Sequence, residues 1–153
     1  MMVGFNNLYG VYFYDANVGW TVGAAGTVIK TTDGGKTWTV QNAEPDELRG
    51  VFALNPQTAW IAGDQGSIYA TRDGGDTWTR QVTPASEKLQ GIFFINDKEG
   101  WAVGSKGTIV HTTDGGVTWL AQQSPTKNDL TDLTRSKDGT LWAVGEWGTI
   151  LKY

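Results

Sequence analysis

Three carboxylates occupy the same place in three copies of one eight-residue string. They are Asp33 in TTDGGKTW, Asp73 in TRDGGDTW and Asp114 in TTDGGVTW, spaced by 40 and then 41 residues. An Asp followed by two glycines can bind calcium or close its own turn. Calcium takes six to eight oxygens, and each string offers one carboxylate. The expected role is structural: the carboxylate accepts N–H groups of its own turn and the glycine pair makes the reversal. Neither a metal nor a cofactor is expected. General acid–base chemistry needs two carboxyl groups placed across a substrate, and here the acids are scattered through turns. His111 is the only histidine and reads as an ordinary exposed strand residue. The Gly-x-x-Gly turns join strand to strand, so they lack the helix N-terminus that binds phosphate.

The rest of the chain keeps the same beat. Leu8, Leu48, Leu89 and Leu130 open four units, and Trp20, Trp60, Trp101 and Trp142 begin a shared phrase in each: WTVGAAGTVIK, WIAGDQGSIYA, WAVGSKGTIVH and WAVGEWGTILK. A fixed period near 40 residues, with strand-like segments between Gly-rich turns, marks a repeat fold. In the first unit, Leu8–Tyr14, Trp20–Gly23, Thr27–Thr32 and Thr37–Asn42 read as four short strands, and no segment has sustained helical periodicity. Val28 and Ile29 are adjacent and both apolar, which fits a sheet covered on both faces. The expected fold is all-β: a propeller of four-stranded antiparallel blades, three complete and a fourth with three strands. One domain over 1–153 is expected, with repeats at 8–47, 48–88, 89–129 and 130–153.

Composition narrows the partners. A net charge of −4, with no Lys/Arg cluster, argues against nucleic acid. No apolar run is long enough to span a bilayer. The first residues do not pair a basic segment with an apolar one, so neither membrane insertion nor a signal peptide is expected. Cysteine is absent, which excludes disulfides and thiolate metal sites.

The eight-residue strings resemble the Asp-box, or BNR, motif. The longer phrase, carried by Gly19–Ile29, Gly100–Ile109 and less fully by Ala59–Ile68 and Leu141–Ile150, is similar to that of the photosystem II stability/assembly factor family of propellers. The resemblance implies a non-catalytic protein-binding module in an extracytoplasmic or thylakoid-associated compartment. That family usually has seven blades, more than this chain supplies. Asp-box propellers also include sialidases, which resemble one another in an arginine triad, a Tyr/Glu nucleophile pair and an Asp acid. This chain has only Arg49, Arg72, Arg80 and Arg135, and Arg72 and Arg80 fall on an Asp box and an outer strand, away from any central pocket.

Within the repeat, positions that stay constant serve the blade and exposed positions that vary are free for binding. On the face carrying the Gly-x-x-Gly turns, the turn pairs read Ala24–Ala25, Asp64–Gln65, Ser105–Lys106 and Glu146–Trp147. The residues after each opening leucine are Tyr9, Arg49, Gln90 and Thr131, expected to ring the mouth of a central channel. The candidate binding residues are therefore Tyr9, Arg49, Gln90, Asp64, Gln65, Lys106, Glu146 and Trp147. Asp33, Trp38, Asp73, Trp78, Asp114 and Trp119 are structural. A protein partner is the first expectation and a glycan the alternative; a fragment or designed repeat with no ligand is the third. The missing outer strand of the fourth unit, with Met1–Phe5 as a short substitute, points to closure by a second copy into an eight-blade ring, or to a four-blade monomer.

Overall fold

A computed structural model describes residues 6–42 and 46–153. The strands fall into four antiparallel sheets in chain order. The first blade is β1 (Leu8–Phe13), β2 (Gly19–Gly23), β3 (Thr27–Thr31) and β4 (Thr39–Asn42). The second is β5 (Leu48–Ala53), β6 (Ala59–Gly63), β7 (Ile68–Thr71) and β8 (Thr79–Gln81). The third is β9 (Leu89–Phe94), β10 (Gly100–Gly104), β11 (Ile109–Thr112) and β12 (Leu120–Ala121). The fourth has three strands, β13 (Leu130–Arg135), β14 (Leu141–Gly145) and β15 (Ile150–Lys152). The expected substitute strand at Met1–Phe5 lies outside the described residues.

The second and third blades are sandwiched between neighbours, so both faces of their inner strands are apolar and buried. Between the first and second blades, Trp20, Val22 and Val28 pack on Leu48, Val51, Ile61 and Tyr69. Between the second and third, Phe52, Trp60 and Ile68 meet Leu89, Ile92, Phe94 and Trp119. Trp60 and Phe94 stack at 3.6 Å between ring centroids. The third junction sets Val103 and Ile109 against Leu130, Leu133 and Ala143. The strand-2 tryptophans and the branched residues near them thus face the next blade, and the opening leucines face the previous one.

The innermost strands approach one another closely. A Cβ on Gly10 would lie 2.5 Å from the Arg49 carbonyl oxygen, and one on Gly50 would lie 2.6 Å from that of Gln90. Glycine is required there for space, not for backbone angle.

The Asp boxes close as hydrogen-bonded loops. In the second blade, Asp73 Oδ1 accepts from the Thr71 hydroxyl and the Thr77 amide, Oδ2 accepts from the Thr77 hydroxyl, and Thr71 Oγ1 accepts the Gly75 amide. Asp33 and Asp114 repeat the pattern. Two sequence expectations are corrected here. Thr37 and Trp38 do not start the outer strand, which begins at Thr39, because the carboxylate holds Thr37 inside the turn. His111 is half-buried, its ring stacked 4.4 Å from Trp101 and Nε2 3.3 Å from Glu99.

Candidate functional site

The turn between the second and third strands of each blade has one recipe. Gly23, Gly63, Gly104 and Gly145 are extended, and a three-residue 3-10 turn follows. The tip residues Ala25, Gln65, Lys106 and Trp147 all adopt left-handed backbone, with φ between 52° and 56°. These tips lie beside the links between blades. The Ala25 amide donates to Glu47, and the Lys106 amide donates to Asp129, whose carboxylate also accepts from Ser105 Oγ. Those bonds, the one from the Lys106 amide foremost, hold the Asp129 carboxyl below its ordinary range. The Asp boxes sit at the other ends of the blades, against the turn at Asn17, Gln57 and Lys98.

Tyr9, Arg49, Gln90 and Thr131 come together around one hollow of about 290 Å³. Its floor is the glycine-bearing inner strands, at Gly10, Gly50 and Gly91, with Asp132 at the fourth position. Arg49 is held on two sides. Its Nε and Nη2 donate to the two oxygens of Asp64 at 2.9 and 3.0 Å. Its guanidinium also lies 4.6 Å from the Tyr9 ring. The hydrogen bonds to Asp64 hold the guanidinium pKa above its ordinary value. Asp64 therefore serves the hollow by fixing Arg49, and the remaining candidates stand apart from it. Gln65 is an exposed tip. Lys106 pairs with Glu87 at 3.0 Å. Glu146 and Trp147 project at the fourth blade, with Trp147 90% exposed.

Asp132 was absent from the sequence candidates. The signal for it was the broken glycine register: Gly10, Gly50 and Gly91 precede it at the same position.

The other arginines lie away from the hollow. Arg72 covers Trp60 at 4.9 Å, Arg80 is exposed on β8, and Arg135 Nε donates to the Gly139 carbonyl at 3.2 Å. Among the described residues no three His, Cys, Asp or Glu side chains are grouped to hold a metal ion. Among the described residues no helix is long and apolar enough to cross a membrane.

The chain is similar to solved structures of known proteins. One is YCF48 bound to a D1 peptide, at 24% identity and a TM-score of 0.78, over 97% of this chain and 50% of that one. A second is YCF48 from Cyanidioschyzon merolae, at 23% identity and a TM-score of 0.78, over 100% of this chain and 55% of that one. A third is the computationally designed Ika4 protein, at 11% identity and a TM-score of 0.78, over 100% of this chain and 94% of that one. The chain spans about half the length of the two YCF48 structures. The comparison with curated proteins gives no match. The family described as photosynthesis system II assembly factor YCF48 matches residues 3–148, nearly the whole sequence, and the chain belongs to that family.

Proposed function

We propose that this chain is a non-catalytic propeller module that binds a protein partner, as an extended peptide segment, in the hollow on the face carrying the Gly-x-x-Gly turns. The observation that carries this reading is the convergence of four unlike residues, Tyr9, Arg49, Gln90 and Thr131, on one cavity. The residues that hold the blades together are repeated; these are not. The solved complex of YCF48 with a D1 peptide supports the choice of a peptide. The hollow offers a stacked, pre-oriented guanidinium, an amide, hydroxyls and one carboxylate, a set suited to main-chain amides and polar side chains. Scattered arginines speak against the sialidase-like alternative, and a single exposed tryptophan against a repeated glycan platform.

The same reading takes the chain as one four-blade unit that closes with a second copy into an eight-blade ring. It places the protein in an extracytoplasmic or thylakoid-associated compartment, on the strength of its family. Calorimetric titration with a D1 peptide tests the site. Saturable binding weakened about tenfold or more by Arg49→Ala and Gln90→Ala is the expected result. Binding untouched by both changes, yet lost on altering the Asp-box face, would move the site to the opposite side.

A further inference from the structure

A second hollow, of about 340 Å³, lies between the first and second blades on the face carrying the Asp boxes. Lys30, Thr37, Thr39 and Gln41 of the first blade and Asp73 and Asp76 of the second line it. Lys30 latches the two blades together at its floor. Its ammonium lies 4.6 Å from the Trp20 ring and donates to the Pro56 and Gly74 carbonyls of the second blade, at 3.1 and 2.8 Å. Burial lowers its pKa, and the charge of Asp76 opposes that shift.

The next junction has the same wall and a different occupant. Thr77, Thr79 and Gln81 repeat Thr37, Thr39 and Gln41. The lysine position holds Ala70, and the latch passes to Arg72, two residues on. Its guanidinium covers Trp60 at 4.9 Å and reaches the Asp97 carbonyl, the counterpart of Pro56, at 3.5 Å. A Cβ on Gly115 would stand 3.1 Å from Arg72 Nη2, as one on Gly74 would stand 3.0 Å from Lys30 Nζ. Both cations thus sit on the same glycine floor, reached from different anchors. Lys30 comes from β3 and Arg72 from the Asp box, so the arginine stem runs through the space above the floor. The first blade has Thr32 at that position, a short side chain that lines the hollow and leaves the space open.

The charge reverses with the occupant. The first junction sets one ammonium against the carboxylates of Asp73 and Asp76, an excess of one negative charge. At the second, Val117 and Lys98 hold the places of Asp76 and Gln57, and the excess is positive. Among the described residues Asp76 makes no hydrogen bond and no ion pair. We propose that the hollow is a second binding site, for an arginine side chain of a protein partner, with the guanidinium paired to Asp76. It lies on the face opposite Arg49 and does not depend on the peptide site there. A guanidinium suits it better than an ammonium. Its planar fork pairs with both oxygens of one carboxylate and keeps N–H groups for the hydroxyls of Thr37 and Thr39. Arg72 shows that the same wall admits it. An acidic side chain would add to the negative excess.

Amide spectra of the 15N-labelled chain, titrated with acetyl-Gly-Arg-Gly-amide, test the site. The signals of Thr32, Thr37 and Asp76 should shift and saturate, with weaker binding of the lysine peptide and none of the glutamate peptide. Asp76→Asn, at an exposed position, should weaken the arginine peptide about fivefold. Lys30→Ala with Thr32→Arg rebuilds the second junction's pair and should abolish the shifts; Asp76→Asn decides alone if that variant does not fold. Equal binding of the lysine or glutamate peptide, or binding untouched by Asp76→Asn, would overturn the proposal. Shifts confined to the amides of Tyr9, Arg49 and Gln90 would overturn it too, while leaving the peptide site on the other face intact.

Discussion

Arg49 on β5 and Asp64, the first residue of the turn after β6, meet through two parallel hydrogen bonds of 2.9 and 3.0 Å. The carboxylate neutralises the one cation of the hollow and fixes its plane against Tyr9. Both partners are about a quarter exposed, so the pair contributes little to folding. Asp64→Ala should change the free energy of urea unfolding by about 1 kcal/mol or less. Its effect should appear in recognition instead. With the guanidinium uncompensated, peptides bearing an extra carboxylate should bind several-fold tighter than to the parent chain. Paired urea and calorimetric titrations would show the two effects separating.

The Asp boxes make a pH prediction. Hydrogen bonds from Thr37, Thr77 and Thr118 hold the carboxyl groups of Asp33, Asp73 and Asp114 at about 2, against an unfolded value near 3.9. A depressed folded pKa gives stability that is complete above the unfolded value and is lost as pH falls towards the folded one. The melting temperature should therefore drop between about pH 4 and pH 2. Replacing all three by Asn should flatten that slope, since an amide does not titrate.

Calcium should leave the melting temperature of the parent chain unchanged, as should a chelator. Asp73→Ala should lower it by several degrees by opening the loop held at Thr71 and Thr77. A calcium-induced rise that vanishes in this variant would show a metal role for the box.

Trp60 and Trp147 should behave as opposites. Trp60 is fully buried and stacked on Phe94, so Trp60→Ala should cost about 3–5 kcal/mol in denaturant unfolding. Trp147→Ala should leave stability nearly unchanged, because the indole stands in solvent at a turn tip.

Fluorogenic sialosides and other glycosides should be hydrolysed no faster than background. Activity above background that disappears on changing a single carboxylate would overturn the non-catalytic reading.

The sequence was legible wherever one position could be compared with itself four times. The strands, the Gly-x-x-Gly turns and the gathering of Tyr9, Arg49, Gln90 and Thr131 follow from that register. What escaped depends on pairs across it. Arg49 and Asp64 lie 15 residues apart and meet only when β5 and β6 align. Lys30 and Arg72 do the same job from positions two residues out of step, so no column of the repeat reveals the latch. His111 departs from the exposed position expected because the Trp101 ring on the neighbouring strand covers it, a contact its own neighbours in the chain do not reveal. Asp132 is legible once the inner-strand positions Gly10, Gly50 and Gly91 are read as one column of the repeat.

The four turn tips hold φ between 52° and 56° with Ala25, Gln65, Lys106 and Trp147, four side chains with nothing in common. A backbone that accepts methyl, amide, ammonium and indole alike does not take its shape from the side chain it displays. The tips are therefore interchangeable sockets. A library could vary all four at once and alter what the face displays while the blades beneath keep their register.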